Sequence, residues 1–183
     1  MPIPRRSLIL ALPALGILVG CSASAPAEPS AASSPTTGRE GGSSAATARL
    51  AGLSLVVAKS PTCGCCTGWI EQAEAAGATV EVEHPASLDA TFAEADLGLE
   101  LQACHLTRVA DALFVGHIPL RFLAEYLADP PSGIRGLAVP GMPIGTPGME
   151  SGDALDPYDV LALHADGSTS VYFSVRTLAD QEA

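Results

Sequence analysis

No valine, isoleucine, leucine, methionine or aromatic residue occurs between Ser22 and Ala48. This stretch of Ser, Ala, Pro, Thr and Gly carries three charges, Glu28, Arg39 and Glu40. It cannot bury enough apolar surface to offset the entropy of ordering it, so it is expected to be a flexible tether. Whatever folds must therefore lie beyond about residue 50. Because 48% of the 183 residues are hydrophobic, what remains is long and apolar enough for one domain with a real core. Only 4% of the chain is aromatic, against 18 Gly and 15 Pro, which implies a core of small aliphatic side chains between many punctuated loops.

The residues before the tether read as a targeting segment. Arg5 and Arg6 form a positive n-region, and residues 8–19 an apolar run too short to span a membrane comfortably. The run ends in Leu18-Val19-Gly20-Cys21, the pattern of a bacterial lipobox, whose cysteine is lipidated after cleavage. Arg5-Arg6-Ser7-Leu8 also has a twin-arginine look, which leaves the export route open. The expected organisation is a lipoprotein signal peptide at 1–20, a lipidated Cys21 with its tether at 21–49, and a folded domain at 50–183. The two or three acyl chains of a lipoprotein cysteine suffice for stable attachment, so the domain is expected to face the periplasm or extracytoplasmic space from a membrane.

Formal net charge is −11, and Lys59 is the only lysine. A nucleic-acid partner would need a basic stripe, and none is present.

Periodicity orders the folded part. Residues 53–58 have strand character, and residues 69–76 helix character. Gly77 is a natural helix stop, and Thr-Val-Glu-Val-Glu at 79–83 alternates like a strand. Ser87 suits the cap of a helix over 88–95. Two short strand-like runs follow at 106–109 and 112–115. Pro119 fits the start of a helix whose apolar face is Leu120, Leu123, Ala124 and Leu127. Residues 136–150 read as a Gly- and Pro-rich loop in which Pro140-Gly141-Met142 recurs as Pro147-Gly148-Met149. A hairpin closes the chain, with strands at 158–164 and 169–175 turned at Asp166-Gly167. This order predicts an α/β fold, a thioredoxin-like domain with an added C-terminal β-hairpin.

Between the first strand and helix lies Lys-Ser-Pro-Thr-Cys-Gly-Cys-Cys-Thr-Gly-Trp, residues 59–69. Cys63, Cys65 and Cys66 are thereby set on a turn that feeds a helix N-terminus, where free N–H groups and the helix dipole favour thiolate. Cys63 and Cys66 form a C-x-x-C pair. A structural disulfide in an exported domain needs only two cysteines, whereas Cys65 and Cys104 make four, which leaves two disulfides or a metal site open. A vicinal Cys65–Cys66 bridge would need a strained peptide. In a thioredoxin-like order the loop before the third strand packs on the C-x-x-C turn, which would bring Cys104 to the site. His105 follows it directly, and His117 sits between a strand end and a helix start. His84 and His164 read as structural. Met142 and Met149 lie in a Gly-Pro loop rather than on a periodic apolar face, a setting that suits soft ligands as well as docking. Trp69 reads as a core anchor.

These residues resemble a known family. Lys59, Pro61, Cys63-Gly64-Cys65-Cys66, Trp69, Gly77, Cys104-His105, Gly116-His117-Ile118-Pro119, Gly136-Leu137-Ala138-Val139-Pro140-Gly141-Met142-Pro143 and Pro147-Gly148-Met149-Glu150 together resemble the exported, copper-resistance-associated, thioredoxin-like metal-binding proteins with a C-G-C-C motif (CopG-like). The resemblance implies a thioredoxin-like fold and copper handling in the cell envelope, with Cys63, Cys65, Cys66 and Cys104 as thiolate ligands.

Two classes of function follow. As a copper-binding protein of copper resistance, the chain would sequester Cu(I) in a mononuclear or polynuclear thiolate site, completed by His105, His117, Met142 or Met149, with copper redox cycling as an extension. Zinc is the competing metal, disfavoured because three cysteines in four residues strain a closed tetrahedral site. The expected partners are copper ions, a membrane through the lipid anchor, and other copper-handling envelope proteins. As a thiol–disulfide oxidoreductase, the chain would use Cys63 as attacking and Cys66 as resolving thiol and would need neither Cys65 nor Cys104.

Overall fold

The computed structural model describes residues 49–182. The expected signal peptide, Cys21 and nearly all of the tether lie outside the described residues. In chain order the elements are β1 (Ser54–Lys59), α1 (Gly64–Ala75), β2 (Thr79–Glu83), α2 (Leu88–Glu94), a 3-10 turn at Leu99–Leu101, β3 (His105–Val109), β4 (Ala112–Val115), α3 (Leu120–Ala128), β5 (Ile134–Ala138), β6 (Tyr158–His164), β7 (Thr169–Val175) and a second 3-10 turn at Leu178–Gln181. The seven strands form one mixed sheet in the order β2-β1-β3-β4-β5-β6-β7. The β1–β2 and β4–β5 pairs are parallel and the others antiparallel.

Side chains alternate between the two faces of this sheet. Leu55 and Val57 of β1, Leu137 of β5, and Val160 and Ala162 of β6 pack with Trp69, Ile70 and Ala73 of α1 and with Phe122, Leu123 and Tyr126 of α3. Leu106 of β3, Val115 of β4, Ala138 of β5 and Leu163 of β6 pack on the opposite side with Phe92 of α2, Leu97 and Leu101. Two helices thus cover one face and one covers the other. The expected core of small aliphatic side chains is only part of the picture, because the few aromatics are concentrated inside: Trp69, Phe114, Phe122, Tyr126 and Tyr158 in the first core and Phe92 in the second.

Three elements differ from the sequence reading. The helix after β1 starts at Gly64 rather than near residue 69, because Cys63 is its N-cap and its sulfur accepts the Cys66 N–H at 3.4 Å. That puts Cys65 and Cys66 inside the first turn. The stretch read as a loop from 136 begins as β5, which runs parallel to β4. Its glycine signal reflects crowding rather than a turn, since a Cβ on Gly136 would be driven into the Leu113 carbonyl, and the pairing with β6 shifts register there. Through β5, the closing hairpin continues the sheet instead of standing apart from it. On α3 the fully buried residues are Phe122, Leu123 and Tyr126, with Leu120, Ala124 and Leu127 only partly covered. The reason is β7, whose Tyr172 and Phe173 rings lie 6.1 and 4.8 Å from that of Phe122 and draw the buried stripe toward the hairpin.

Candidate metal centre

Sheet topology gathers the chemistry at one edge. The chain leaves β1 at Lys59 into the cysteine turn. Antiparallel pairing puts the first residue of β3, His105, opposite Lys59. β4, antiparallel to β3, ends at Val115 opposite Leu106, so the following turn delivers His117 to the same edge. Gly116 permits that turn. It has φ 69°, and a Cβ there would run into the Val139 carbonyl oxygen and meet the Ala103 Cβ at 2.8 Å.

A third segment, residues 140–150, closes over the site. At Gly148 (φ 82°) the backbone comes so near α1 that a Cβ would meet the Cys65 carbonyl oxygen and the Trp69 nitrogen, both at 2.5 Å. The segment is tied down by Glu150, which accepts hydrogen bonds from Gln72 Nε2 (2.6 Å) and from the Gly148 N–H (2.9 Å). The preceding carbonyl, Pro147 O, lies 2.7 Å from His117 Nδ1. The repeated Pro-Gly-Met motif therefore acts partly as a clamp. Its glycine allows the approach and its proline carbonyl orients a ring.

The four cysteines converge. Cys63 and Cys66 are joined in a disulfide with Cα atoms 5.5 Å apart, while Cys65 and Cys104 are free thiols. No vicinal bridge is present. Cys63 Sγ and Cys65 Sγ are 3.4 Å apart, and Cys66 Sγ lies 3.5 Å from the Cys104 carbonyl oxygen. Cys104 Sγ is 2.9 Å from His117 Nε2 and 3.5 Å from His105 Nδ1. Two overlapping donor sets result, Cys63, Cys65, Cys66 and Cys104 in one and Cys66, Cys104, His105 and His117 in the other. Within each set the donor atoms all lie within 4.8 Å of one another. This is a cysteine cluster able to bind metal.

Electrostatics keep the imidazoles neutral. Burial, with neighbouring His117 and Lys59, pushes the His105 pKa down to about 3, while the Gly116 carbonyl works the other way. Burial also lowers His117, against the Pro147 carbonyl and Glu150. With Nδ1–H donating to Pro147, a neutral His117 presents its Nε2 lone pair to Cys104. A backbone-anchored ring of this kind is the usual arrangement for a metal-binding histidine. His105 Nε2 is buried with no hydrogen-bond partner among the described residues. The Cys104 thiol is pushed up to about 12, first by burial and then by the neighbouring Cys65, with Lys59 acting in the opposite direction. As a metal-free group it is a protonated thiol, and a metal would have to displace its proton.

The other named residues fall as follows. Met142 is 57% exposed and, with Gln102, Ala103, Gly141 and Cys104, lines an open cleft of about 240 Å³. Met149 is half-buried within the clamp segment, held by backbone hydrogen bonds to Thr146 and Gly145. Trp69 is fully buried, and its Nε1–H donates to the Ile118 carbonyl at 2.9 Å, fixing α1 to the turn that carries His117. His84 and His164 have structural partners, the Lys59 carbonyl at 3.1 Å and Ser170 Oγ at 2.8 Å. Sequence reasoning quoted Lys59, Pro147 and Glu150 among the residues of the resemblance but gave them no role at the site. For Lys59 the signal was present, a solitary lysine ending the strand that feeds the cysteine turn.

No helix among the described residues is long and apolar enough to cross a membrane. A family model described as a protein of unknown function, DUF411, matches residues 101–149, the stretch that contributes Cys104, His105, His117 and the clamp. No curated protein matches the chain. Among solved structures, one titled copper resistance protein CopG, form 1, is 32% identical. It aligns over 67% of this chain and 97% of its own, with a TM-score of 0.63. A second, form 2, is also 32% identical, with 68% and 98% covered and a TM-score of 0.65.

Proposed function

The chain belongs to the CopG copper resistance family, and on that premise we propose that it is a copper-binding protein of the cell envelope that sequesters Cu(I) through Cys63, Cys65, Cys66 and Cys104. The observation that carries this reading is the convergence of four sulfurs and two imidazoles, in two overlapping donor sets, at one partly buried edge of the sheet. Soft thiolates favour Cu(I), and sulfurs this crowded suit bridging between ions better than a closed tetrahedral zinc site. His105, whose Nδ1 lies 3.5 Å from Cys104 Sγ, and His117, held by the Pro147 carbonyl, complete the donor shell. Met142 lines the same cleft as Cys104 and offers a soft thioether there. Met149, in the clamp, is the second thioether that could join the donors.

The disulfide must open before Cys63 and Cys66 can bind metal. Two electrons and two protons, supplied by an external dithiol, convert it to two thiols. The Cys63–Cys66 couple therefore links copper loading to the redox state of the compartment; copper cycling between Cu(I) and Cu(II) would need in addition an external one-electron oxidant and reductant. Residues 54–128 follow the strand–helix order of a thioredoxin-like unit, with β3 antiparallel beside β1, which supports that fold assignment. A signal peptide at 1–20, a lipidated Cys21 and a tether to residue 49 would hold this domain at a membrane surface, facing the periplasm or extracytoplasmic space.

The test is a Cu(I) competition titration of the reduced protein against the Cys63→Ser/Cys66→Ser double variant. Tighter binding by the wild type supports the reading, and equal binding rejects it.

One observation favours a second reading. The closed disulfide sits at the N-cap of α1, where a dipole stabilises a leaving thiolate. Thiol–disulfide exchange by Cys63 and Cys66 is the corresponding activity. Disulfide reductase turnover that survives Cys65→Ser and Cys104→Ser would favour it over metal binding.

A further inference from the structure

The sulfurs at the start of α1 do not stand in equivalent places. Cys63 and Cys66 share a disulfide, and the free thiol of Cys65 lies 3.4 Å from Cys63 Sγ. At that distance the thiol is in contact with one end of the bond it could attack. The other free thiol, Cys104, is turned toward His117, its Sγ 2.9 Å from the ring Nε2. Attack by Cys65 on Cys66 would make a vicinal bridge with a strained peptide. Attack on Cys63 instead closes a ring through Gly64, an exposed residue with open space around it. The sulfur set free is then Cys66, which is fully buried, whereas Cys63 and Cys65 are half-buried. Cys66 departs from the first turn of α1, where the helix dipole favours a thiolate. It also belongs to the donor set Cys66, Cys104, His105 and His117, whose donor atoms lie within 4.8 Å of one another.

We propose that the oxidised protein opens a metal site of its own by internal thiol–disulfide exchange. The bridge moves from Cys63–Cys66 to Cys63–Cys65, and Cys66, Cys104, His105 and His117 then bind one divalent ion of the Zn(II) class. The proposal rests on the metal-binding reading of this cluster and not on its preference for Cu(I). In the step, the Cys65 thiolate attacks Cys63 Sγ, the Cys63–Cys65 bond forms and the Cys63–Cys66 bond breaks. Cys66 leaves with the electron pair as a thiolate. The proton given up by Cys65 passes to Cys66, or to solvent once a metal is bound. One disulfide is present before and after, so no outside oxidant or reductant takes part. Two thiolates and two imidazoles make up a tetrahedral zinc donor set, free of the crowding that three cysteines in four residues impose. The two thiolates cancel the charge of a divalent ion, so loading adds no net charge to a partly buried edge. Metal binding draws the exchange forward, because only the exchanged form offers Cys66. Cys65 is thus required for loading without belonging to the donor set.

The experiment uses the whole chain in its disulfide form, without reductant and under anaerobic conditions. Zn(II) binding is measured by chelator competition, and Co(II) in its place reports sulfur ligation through thiolate charge-transfer absorption. Wild type is expected to take up one ion per chain, with cobalt bound through thiolate. Cys65→Ser is expected to lose this binding and to regain it when a phosphine reductant opens the Cys63–Cys66 bond. If the variant does not regain it, the bond connectivity of the wild type decides alone. For that readout, free thiols of the acid-quenched protein are alkylated with one tag, the disulfide is reduced, and its cysteines take a second tag. The second tag is expected on Cys63 and Cys66 in metal-free protein and on Cys63 and Cys65 in zinc-loaded protein, with Cys21 scored separately.

The proposal is overturned by a bridge that stays at Cys63–Cys66 in loaded protein, or by one that moves to Cys104. It is equally overturned if oxidised wild type binds no ion through sulfur, or if oxidised Cys65→Ser binds as wild type does. Each of these outcomes leaves Cu(I) binding by the reduced protein standing. That reading fails separately, when reduced wild type binds Cu(I) no more tightly than Cys63→Ser/Cys66→Ser.

Discussion

His117 Nε2 stands 2.9 Å from Cys104 Sγ because the other ring nitrogen is held 2.7 Å from the Pro147 carbonyl. One thiol and one imidazole, thirteen positions apart, are thus aligned by a backbone group thirty positions further on. On the copper reading proposed above, this alignment would let the pair share a metal ion. Replacing His117 by Ala is expected to lower Cu(I) affinity by about ten- to a hundredfold while leaving the fold intact. Chelator competition on the reduced protein measures it, and an affinity equal to wild type would exclude His117 from the site.

The clamp can be tested without touching a candidate ligand. Gly148 packs against Gly68 and the start of α1 at a φ of 82°, where a side chain has no room. Gly148→Ala is expected to cost about 1–3 kcal/mol of stability and to weaken copper binding by displacing the Pro147 carbonyl. Denaturant unfolding and copper competition on the same variant check both effects. A loss of stability with unchanged affinity would mean that His117 does not depend on the clamp.

Acid should unfold the metal-free disulfide form through its buried imidazoles. The unfolded chain takes up a proton on His105 near the ordinary value of 6.5, whereas the folded chain resists until about 3. The stabilisation is therefore complete above 6.5 and is lost as pH falls toward 3. The slope is about 1.4 kcal/mol per pH unit for one such group, and the lowered His117 adds the same sign. Urea midpoints measured at about pH 7 and about pH 5 report it. His105→Gln is expected to flatten the dependence, and a wild-type midpoint that does not move would contradict it.

Trp69 joins the cysteine helix to the histidine turn through a single buried hydrogen bond to Ile118. Trp69→Phe keeps most of the apolar volume and leaves the Ile118 carbonyl without its partner. The expected cost is about 1–3 kcal/mol in unfolding free energy, and a change below experimental error would show that the bond is replaceable.

Much of this site could be read from local sequence. Three cysteines on a strand-to-helix turn, a solitary lysine before them, and a lone tryptophan one turn on are short-range signals, and the structure sets them together. The β2 strand, the Ser87 cap and the closing hairpin were equally legible, because alternation, a capping hydroxyl and Asp166-Gly167 each act within a few residues. What escaped depended on distant partners. β5 hid behind Gly136, whose missing side chain answers to the Leu113 carbonyl across the sheet. The buried face of α3 was misjudged because β7 supplies aromatic rings that periodicity within the helix does not reveal. Pro147 contributes a carbonyl, a group that no residue type announces. The start of α1 was misplaced because a cysteine sulfur caps it, where serine or aspartate would have been recognised.

The most direct test is copper X-ray absorption on the anaerobically reduced protein loaded with Cu(I), beside the Cys63→Ser/Cys66→Ser variant. A first shell dominated by sulfur in the wild type, and depleted of sulfur in the variant, is the expected result. A shell of nitrogen and oxygen alone, or one indifferent to loss of Cys63 and Cys66, would contradict a cysteine-built copper site.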